Sequence, residues 1–451
     1  MKNKFSRNHY KIAPALTMCF LFLSSLAAFS QSSNDGSIKI SLAEAIRLAK
    51  TNNKVVESGR MEQDAADEDL KDAKAAALPS LSFSGSYQRF TKLTLYTNGL
   101  SDSKSIPKNP GPNGADLGAN ANFNIYSGGR NRSAIEEQQH RSTLSEVSLL
   151  ETSGSIALQV ASQYLDLIKL RSQKKLTQEQ ITRAETRLRN INALYRNSKV
   201  TKSDVLRAEL NLSNVKLIMQ QVDNDISISS RRLAVLINVG GEVEIVPSEA
   251  LTQEPADIEA VQNLVNTTTA DAFGVRKFDE NIKIIGARIK GVKSNYYPSI
   301  SAISAYGLSY PNTIFNPPVD QAYSIGLVGI RVQYNLSSLY HNKHKVSAAT
   351  TRLKALELQK AALTDNLSQE AVSLGIKYGE ALNRINVIQK QIEQAEVNYK
   401  IVSAKYFNQL ALLTDLLDAD NLLQESRFNL ILAQNALQTI FYRLQFTSGK
   451  L

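Results

Sequence analysis

Three aspartates in this chain have the type and spacing of residues that could act together, as a ring of negative charge that attracts cations. Asp204 follows Ser203 and Asp415 follows Thr414 at positions 211 residues apart, and Asp418 lies three residues beyond Asp415. An acid near the start of a helix is favoured by unpaired amides and the helix dipole, by about 0.3–1 kcal/mol. Acids that converge on an opening instead add their fields and attract cations. The sequence leaves both interpretations open.

Other residue patterns that carry chemistry are weak. Gly128 and Gly129 before Arg130 are more typical of a strand end than of a phosphate-binding loop. His341 and His344 have the spacing of one helix face but no neighbouring ligands, so no metal site is predicted. No Ser, His and Asp constellation can be assembled. We therefore expect no cofactor and no enzymatic activity.

Residues 1–30 have the pattern of a secretory signal peptide. Four basic residues and no acid precede an apolar run, and the small residues Ala28 and Ser30 predict cleavage after Ser30. A transmembrane helix is the alternative, which the polar segment after Gln31 disfavours. Cys19, the sole cysteine, lies within this leader, so the mature chain is expected to have neither a disulfide nor a lipid anchor.

The charge balance argues against nucleic acid as a partner. The 451 residues are 21% charged with a formal net charge of +10, which falls to +6 once the four basic residues of the leader are removed. The remaining charges of both signs are intermixed and form no basic block, so no nucleic acid binding is predicted.

Two halves of the chain repeat one pattern. "LPSLSFSGSY" at 78–87 returns as "YPSISAISAY" at 297–306. With an offset of 211, "FNIYSGGRNR" then falls on "YNLSSLYHNK", and "LYRNSKVTKSDVLRAEL" on "KYFNQLALLTDLLDADN". Dispersed blocks that hold one offset predict an internal duplication.

Each copy contains two segments that alternate apolar residues with Ser or Asn. The period of two predicts strands near 80–96, 116–127, 299–310 and 322–336. The segments between them, rich in Pro, Gly and Asn, are predicted to be loops at 97–115 and 311–320. A soluble half-buried sheet and a transmembrane barrel both fit this alternation. Because four strands cannot close a barrel, for which about 8 are needed, any barrel must be shared between chains.

Long heptad-like seams follow each strand pair. Apolar residues spaced by three and four predict helical hairpins at 131–238 and 342–447. Residues 131–198 hold one glycine and no proline, so a continuous helix there would extend about 100 Å. The predicted fold is mainly α with a four-stranded β part. Three regions result: the leader 1–30, a first repeat at 31–240, and an equatorial segment with the second repeat at 241–451.

The mature chain resembles the TolC-type outer-membrane efflux protein family. The resemblance rests on "SLAEAIRLAKTNN", "LPSLSFSGSY", "FNIYSGG", "SKVTKSDVLRAEL" and "LALLTDLLDADN", in this order. It implies a homotrimer whose strands form a 12-stranded barrel in outer-membrane lipid, continuous with a helical tunnel that reaches far into the periplasm. It further implies a passive exit duct for efflux or type I secretion, coupled through a periplasmic adaptor protein to an inner-membrane pump.

The resemblance also implies roles for residues near the two hairpin turns. Asp415 and Asp418 match aspartates that ring the periplasmic aperture, Tyr406 matches a tyrosine of the closing links, and Asp204 stands at the corresponding turn of the first hairpin. The turns themselves are the expected adaptor contacts, namely Ser198, Lys199, Val200, Gln409, Leu410 and Ala411.

Two departures from the family pattern affect the closed gate. The glycine often found at each tip is replaced by Ser198 and by Gln409, and an arginine of the closing link is replaced by Ala411. The substitute cation is left open by the sequence, with three candidates near the first turn: Arg196, Lys202 and Arg207.

Two other functions compete with a duct. A periplasmic adaptor also contains a helical hairpin, but it would have one hairpin where this chain has two. A soluble coiled-coil protein would leave the apolar rows at 117–125 and 328–336 without a role. The exported substrate and the class of pump are not defined by the sequence.

Overall fold

The helices account for most of the chain. The computed structural model describes residues 37–108, 111–240, 243–250, 258–314 and 317–451, so the predicted signal peptide lies outside the described residues. The eight α-helices in this part of the chain are α1 (Leu42–Asn52), α2 (Lys54–Ala75), α3 (Arg130–Arg196), α4 (Lys202–Ile237), α5 (Ile258–Asp271), α6 (Phe273–Lys293), α7 (Ser338–Phe407) and α8 (Leu413–Thr447).

Strands lie between the helices and form three separate sheets. Within the described residues they are β1 (Ser37–Ile40), β2 (Ser80–Arg89), β3 (Leu93–Tyr96), β4 (Ser103–Ile106), β5 (Asn113–Tyr126), β6 (Glu244–Pro247), β7 (Ser299–Tyr310) and β8 (Tyr323–Gln333). The largest sheet is antiparallel in the order β2-β5-β7-β8, so β2 and β8 are its open edges.

The interpretation of residues 97–115 as a loop is partly wrong. The strand predicted near 80–96 is divided: β2 ends at Arg89, and β3, at the end of the predicted strand, pairs with β4, which lies inside the predicted loop, as a separate hairpin. Gly99, with φ of 94°, allows the tight turn between them, where the amide of Thr97 donates to the carbonyl of Asp102. Strand β5 also begins earlier than predicted, at Asn113.

Strand register places the apolar residues of β2 and β5 on one face of the large sheet, whereas β7 and β8 also carry Ile303, Ile325 and Leu327 on the other face. Leu81 lies opposite Ala121, Phe83 opposite Ala119, and Ala302 is flanked by Phe123 and Ile330; the register of β5 shifts only near its end. The other face carries the serines of β2 opposite asparagines of β5. Because a one-residue slip would exchange the faces, this register is the one that the sequence pattern requires.

No helix in the described part of the chain covers the apolar face. Leu81 is 82% exposed, Phe83 76% and Val328 87%. A soluble antiparallel sheet would bury this face against a core, and an uncovered apolar surface of this kind marks a membrane or protein interface. The four strands have 10, 14, 12 and 11 residues, which suffices for tilted strands of about 9–11 residues to cross a bilayer.

The two helical hairpins are built on the predicted seams. Ile181, Ala184 and Ile191 of α3 are buried, as are Val205 and Ala208 of α4 and their counterparts along α7 and α8. Tyr195 is an exception at 42% exposed. With 67 and 70 residues, α3 and α7 each extend about 100 Å at 1.5 Å per residue.

The boundary predicted between residues 240 and 241 does not separate two folding units. Strand β1 pairs in parallel with β6, with Ser37 opposite Glu244. Both strands join the core of the first repeat, where the hydroxyl of buried Tyr164 donates to the carbonyl of Ile40 at 2.9 Å. Part of the segment assigned to the equator of the second repeat therefore completes the first.

The glycine pair before α3 allows a close backbone turn, which accounts for these residues without a bound ligand. Gly128 has φ of 65°, and a Cβ there would lie 2.6 Å from the carbonyl oxygen of Ser294. Only glycine fits this close turn from β5 into α3, which agrees with the interpretation as a strand end. In the part of the chain that the structure describes, no helix combines the length and apolar character needed to cross a membrane.

We expect the two faces of the sheet to differ in their tolerance of charge. Val328→Arg places a cation near the middle of β8 on the apolar face, and Asn120→Arg places one at nearly the same level on the polar face. The first change should reduce assembly into outer membranes, with a penalty of about 2–4 kcal/mol at the bilayer midplane. Equal yields of membrane-assembled protein for the two variants would show that the faces are assigned wrongly.

Candidate functional site at the hairpin tips

Both hairpins turn through the same backbone motif. At the end of α3 the amide of Lys199 donates to the carbonyl of Leu194, and the amide of Ser198 to that of Tyr195, each at 2.9 Å. At the end of α7 the amide of Leu410 donates to Lys405 and that of Gln409 to Tyr406. This pattern is the Schellman motif, which needs a left-handed residue just past the helix.

Ser198 and Gln409 supply the left-handed residues. Their φ angles are 54° and 63°, in a region that costs a residue with a Cβ about 1–2 kcal/mol relative to glycine. These are the two positions at which the resemblance implies that glycine is often found. The departure noted in the sequence therefore keeps the turn and adds strain to it.

Asp204 is committed to starting α4. Its Oδ2 accepts from the backbone amide of Thr201 at 2.9 Å and from Thr201 Oγ1 at 2.8 Å, while Thr201 Oγ1 accepts from the amide of Asp204 at 3.2 Å. This reciprocal arrangement is a capping box. The helix-start interpretation thus accounts for the geometry of this half-buried carboxylate.

Asp415 and Asp418 differ in their bonding. Asp415 Oδ2 accepts from the amide of Leu412 at 3.0 Å, but leucine has no side-chain oxygen with which to return the bond, so only half of the box forms. Asp418 makes no hydrogen bond or ion pair with any residue that the structure describes, and both carboxylates are exposed. Of these two acids, Asp418 is therefore the one whose carboxylate is not engaged in capping the helix.

Tyr406 lies inside the tip, not on its surface. It is 5% exposed and packs among Ile191, Val205, Leu413 and Leu416. Its hydroxyl has no hydrogen-bond partner among the described residues. Burial raises the pKa of this hydroxyl above its ordinary value, the charge of Asp204 acts in the same direction, and Arg187 opposes both. Tyr406 thus contacts both hairpins through its ring.

The two turns present unlike surfaces. Lys199 is exposed and Val200 half-buried at the first turn. At the second turn Leu410 is 75% exposed, while Ala411 packs against the apolar cluster of the tip. A partner that binds both tips would meet a basic surface on one and an apolar surface on the other.

The strongest polar contact near the tips was missed from the sequence. Asp420 of α8 accepts from Arg187 at 2.5 Å and from Arg183 at 3.1 Å. The side chains of Asp420 and Arg187 are 2% and 4% exposed. Both residues adjoin apolar seam positions, and a charge at the edge of a seam requires a buried partner. This signal could have identified the pair.

The three candidate cations of the first turn play no comparable part. Arg196, Lys202 and Arg207 form no ion pair within the described residues; Lys202 Nζ lies 5.8 Å from the ring centroid of Tyr195. Their part in the closed gate stays a prediction.

Comparisons with known proteins agree with this architecture. The model of the outer membrane efflux protein family matches residues 45–239. No protein of curated function matches the chain.

Among solved structures, the outer membrane protein VceC from Vibrio cholerae is similar over 90% of this chain and 96% of its own, with 16% identity and a TM-score of 0.75. The match to the CmeC outer membrane channel of Campylobacter jejuni covers 100% of this chain and 94% of CmeC, with 13% identity and a TM-score of 0.71. The match to the MtrE outer membrane channel of Neisseria gonorrhoeae, in its open state, covers 90% of this chain and 88% of MtrE, with 17% identity and a TM-score of 0.70.

These comparisons confirm the resemblance and the fold class. The chain resembles the TolC-type outer-membrane efflux family and has a fold that is mainly α, with long helical hairpins and a β part. The description of the family whose model matches residues 45–239 names the outer membrane, which agrees with the predicted location. The roles of the tip residues stay predictions.

Glycine at the left-handed positions should stabilise the tips. We expect Ser198→Gly and Gln409→Gly each to raise the free energy of unfolding of the hairpin end by about 0.5–1 kcal/mol, since the relief of strain exceeds the entropy that glycine loses on folding. Ser213→Gly, in the interior of α4, should lower it by about 0.5–1 kcal/mol. Amide exchange at residues 194–202 and 405–414 measures the effect, and lower protection in either tip variant would contradict the strain argument.

Removal of the Tyr406 hydroxyl should not weaken the tip. A buried hydroxyl without a partner costs about 1–3 kcal/mol, so Tyr406→Phe should leave the melting temperature equal or higher. Tyr164→Phe removes a hydroxyl that is bonded to Ile40, and should cost about 0.5–1.5 kcal/mol.

The pH dependence gives a second readout of the same change. Because the raised pKa means that the folded state holds the Tyr406 proton more tightly, this residue's contribution is complete below the ordinary pKa of about 10 and is lost as the pH rises above it. Tyr406→Phe should therefore show a shallower loss of stability in alkali than the wild type. An unchanged alkaline slope would contradict the assignment.

Proposed function

We propose that the chain is the passive exit duct of a tripartite export system in the outer membrane, and that it works as a homotrimer. A periplasmic adaptor protein couples the duct to an inner-membrane pump, which supplies the energy. The observation that carries the proposal is a four-stranded sheet with two open edges and an uncovered apolar face, joined directly to helices of 67 and 70 residues.

The open edges favour a trimer. Unpaired amides and carbonyls cannot face lipid, so a membrane sheet must close on itself. Four strands are too few for closure, since the smallest barrels have about 8. Pairing β8 of one chain with β2 of the next, three times over, gives twelve strands and leaves no edge exposed.

The helices favour a periplasmic tunnel and a dock for an adaptor. Both hairpins leave the same end of the sheet, because β5 and β8 each run directly into a long helix. Helices of about 100 Å place the tips far from the membrane, where Lys199 and Leu410 are free to contact an adaptor. A periplasmic adaptor as the identity of the chain itself is disfavoured by the second hairpin and the exposed apolar sheet.

The first experiment measures assembly. The mature protein, extracted from outer membranes in detergent, should have the mass of three chains by light scattering and should form conducting channels in planar bilayers. A water-soluble monomer, or a trimer that does not conduct, would overturn the proposal.

The second experiment tests the exposed acids as an aperture ring. In a trimer Asp415 and Asp418 would supply six carboxylates around one axis. Screening confines isolated surface charges to about 8 Å, but charges around a narrow opening add their fields. Divalent cations added from the periplasmic side should therefore block the channel, and Asp415→Asn with Asp418→Asn should weaken the block.

Two control variants separate the ring from its alternative. Asp418→Asn alone leaves the bond from Leu412 to Asp415 in place, so it should weaken the block without loosening the start of α8. Glu425→Gln changes an acid further along the same helix and should leave the block unchanged. If the double Asn variant keeps the wild-type block, the two acids serve only the helix start.

A further inference from the structure

A polar cavity of about 460 Å³ lies where the large sheet meets the starts of α3 and α7. Hydroxyl and amide side chains form much of its wall, and three basic residues complete it: Arg130, His341 and Lys345. No carboxylate of the described residues lines it. The cavity therefore has the composition of a site for a negatively charged ligand.

The strand residues that line the cavity lie on the polar face of the sheet. Ser299 and Gln333 are opposite each other on β7 and β8. Ser301, two residues further along β7 and hence on the same face, donates to Oδ1 of Asn124 at 2.7 Å. In the proposed duct this face lines the interior, because the apolar face meets lipid. A ligand would therefore reach the cavity from inside the duct.

Positive charge around the cavity is not compensated. The segments 117–135, 281–319 and 321–356 meet at this end of the sheet, and together they contain eleven Lys or Arg and no Asp or Glu. Bases of α6 pair with acids outside these segments, as Lys290 does with Glu136 at 2.6 Å. Arg130 and Lys345, which line the cavity, form no ion pair with any residue that the structure describes. Their charges are available to a ligand.

The starts of α3 and α7 add to the positive field. An acid in the first turn is the residue that the helix dipole favours, and α1, α4 and α8 have Glu44, Asp204 and Asp415 there. The first turns of α3 and α7 have no acid. Arg130 is instead the first residue of α3, and His341 is the fourth of α7. An anion in the cavity would be favoured by both helix dipoles.

The basic side chains retain hydrogen-bond donors for a ligand. Arg130 Nη2 donates to Oδ1 of Asn295 at 2.7 Å, which occupies only part of the guanidinium. Lys345 is exposed and donates through its ammonium group. An oxyanion with several acceptor oxygens can accept from both types of donor at once. The volume is within the range of about 300–1,000 Å³ for small-molecule sites, which leaves room for an organic molecule attached to the anionic group.

We propose that this cavity binds the phosphate- or sulfate-like group of a small organic molecule that passes through the duct, with Arg130 and Lys345 as its cationic contacts. This inference rests on the proposed function, because the position inside the duct is what makes the ligand a transported molecule. In a trimer three such cavities surround one axis. They lie about 100 Å from the acids of the hairpin tips, many times the screening length of about 8 Å, so the two charged regions act independently.

The first experiment measures binding to the full mature protein in detergent at low chloride. Titration calorimetry with inorganic phosphate and with glycerol 3-phosphate should show saturable binding at one site per chain. Lys345→Gln and Arg130→Gln should each raise the Kd at least about tenfold, because each removes a hydrogen bond to a charged group. A short-chain phosphatidylglycerol provides the third titration, which tests a lipid head group as the source of the phosphate.

A neighbouring lysine supplies the matched control. Lys343 is exposed and lies two residues from Lys345 on the same helix, but it does not line the cavity. Lys343→Gln removes the same charge from nearly the same level and should leave the Kd for phosphate unchanged. An equal loss of affinity in Lys343→Gln and Lys345→Gln would show a diffuse attraction and would overturn the site.

Conductance separates failure of the site from failure of the duct. In planar bilayers, replacing chloride with phosphate should lower the conductance of the wild type more than that of Lys345→Gln. A protein that forms no channel would overturn the duct and the transported ligand with it, and the titrations would then decide by themselves whether the cavity binds oxyanions. A conducting channel that binds neither soluble phosphate compound, or that binds only the lipid, would overturn the proposed site.

Discussion

The organisation of the chain depends on the unpaired backbone groups at the two edges of the four-stranded sheet. An edge strand presents amides and carbonyls that water must satisfy, or another strand. Here β2 and β8 lie at the edges, and the apolar residues of the same strands are exposed. Under the proposed function, lipid covers the apolar face and strands of neighbouring chains pair with both edges.

The helices meet a different requirement. Their seams are narrow, so each long helix buries one side against its hairpin partner, as Ile191 and Val205 do near the first turn. The rest of each surface stays polar or half-exposed. The apolar clusters are accordingly local: one around β1 and β6, one between α5, α7 and α8, and one at the tips. Polar contacts such as that of Arg187 with Asp420 add to these clusters in joining the two hairpins.

Periodicity was sufficient to predict the helical hairpins and the two faces of β2 and β5. Apolar residues that recur every two positions in a strand, or every three or four in a helix, show which side of the element is apolar. The alternation from Leu81 to Tyr87 is clear in the sequence. The hairpin of β3 and β4 was missed because strands of four residues carry little periodic signal. The pairing of β1 with β6 was missed because pairing between distant short strands leaves no local pattern.

The tip residues show the same limit at finer scale. Resemblance drew attention to Asp415, Asp418 and Tyr406, which stand at matching positions of the family motif. It could not reveal that Asp204 is occupied by its own helix start, nor that Asp420 is the acid that is buried. Both facts depend on which way a side chain faces in a bundle of four helices, and spacing along one helix does not determine this.

The parallel pairing of Ser37–Ile40 with Glu244–Pro247 has a consequence for the order in which the chain folds. A chain that emerges from its amino end presents β1 first, but its partner strand follows only about 200 residues later. Closing so long a loop is slow relative to forming local hairpins. The first helical hairpin can therefore form while β1 is still unpaired, and the pairing of β6 with β1 then completes the core around Tyr164. Until that moment the amino-terminal segment stays accessible to chaperones and proteases, so a truncation before residue 244 should yield a hairpin whose core at the β1 end is incomplete.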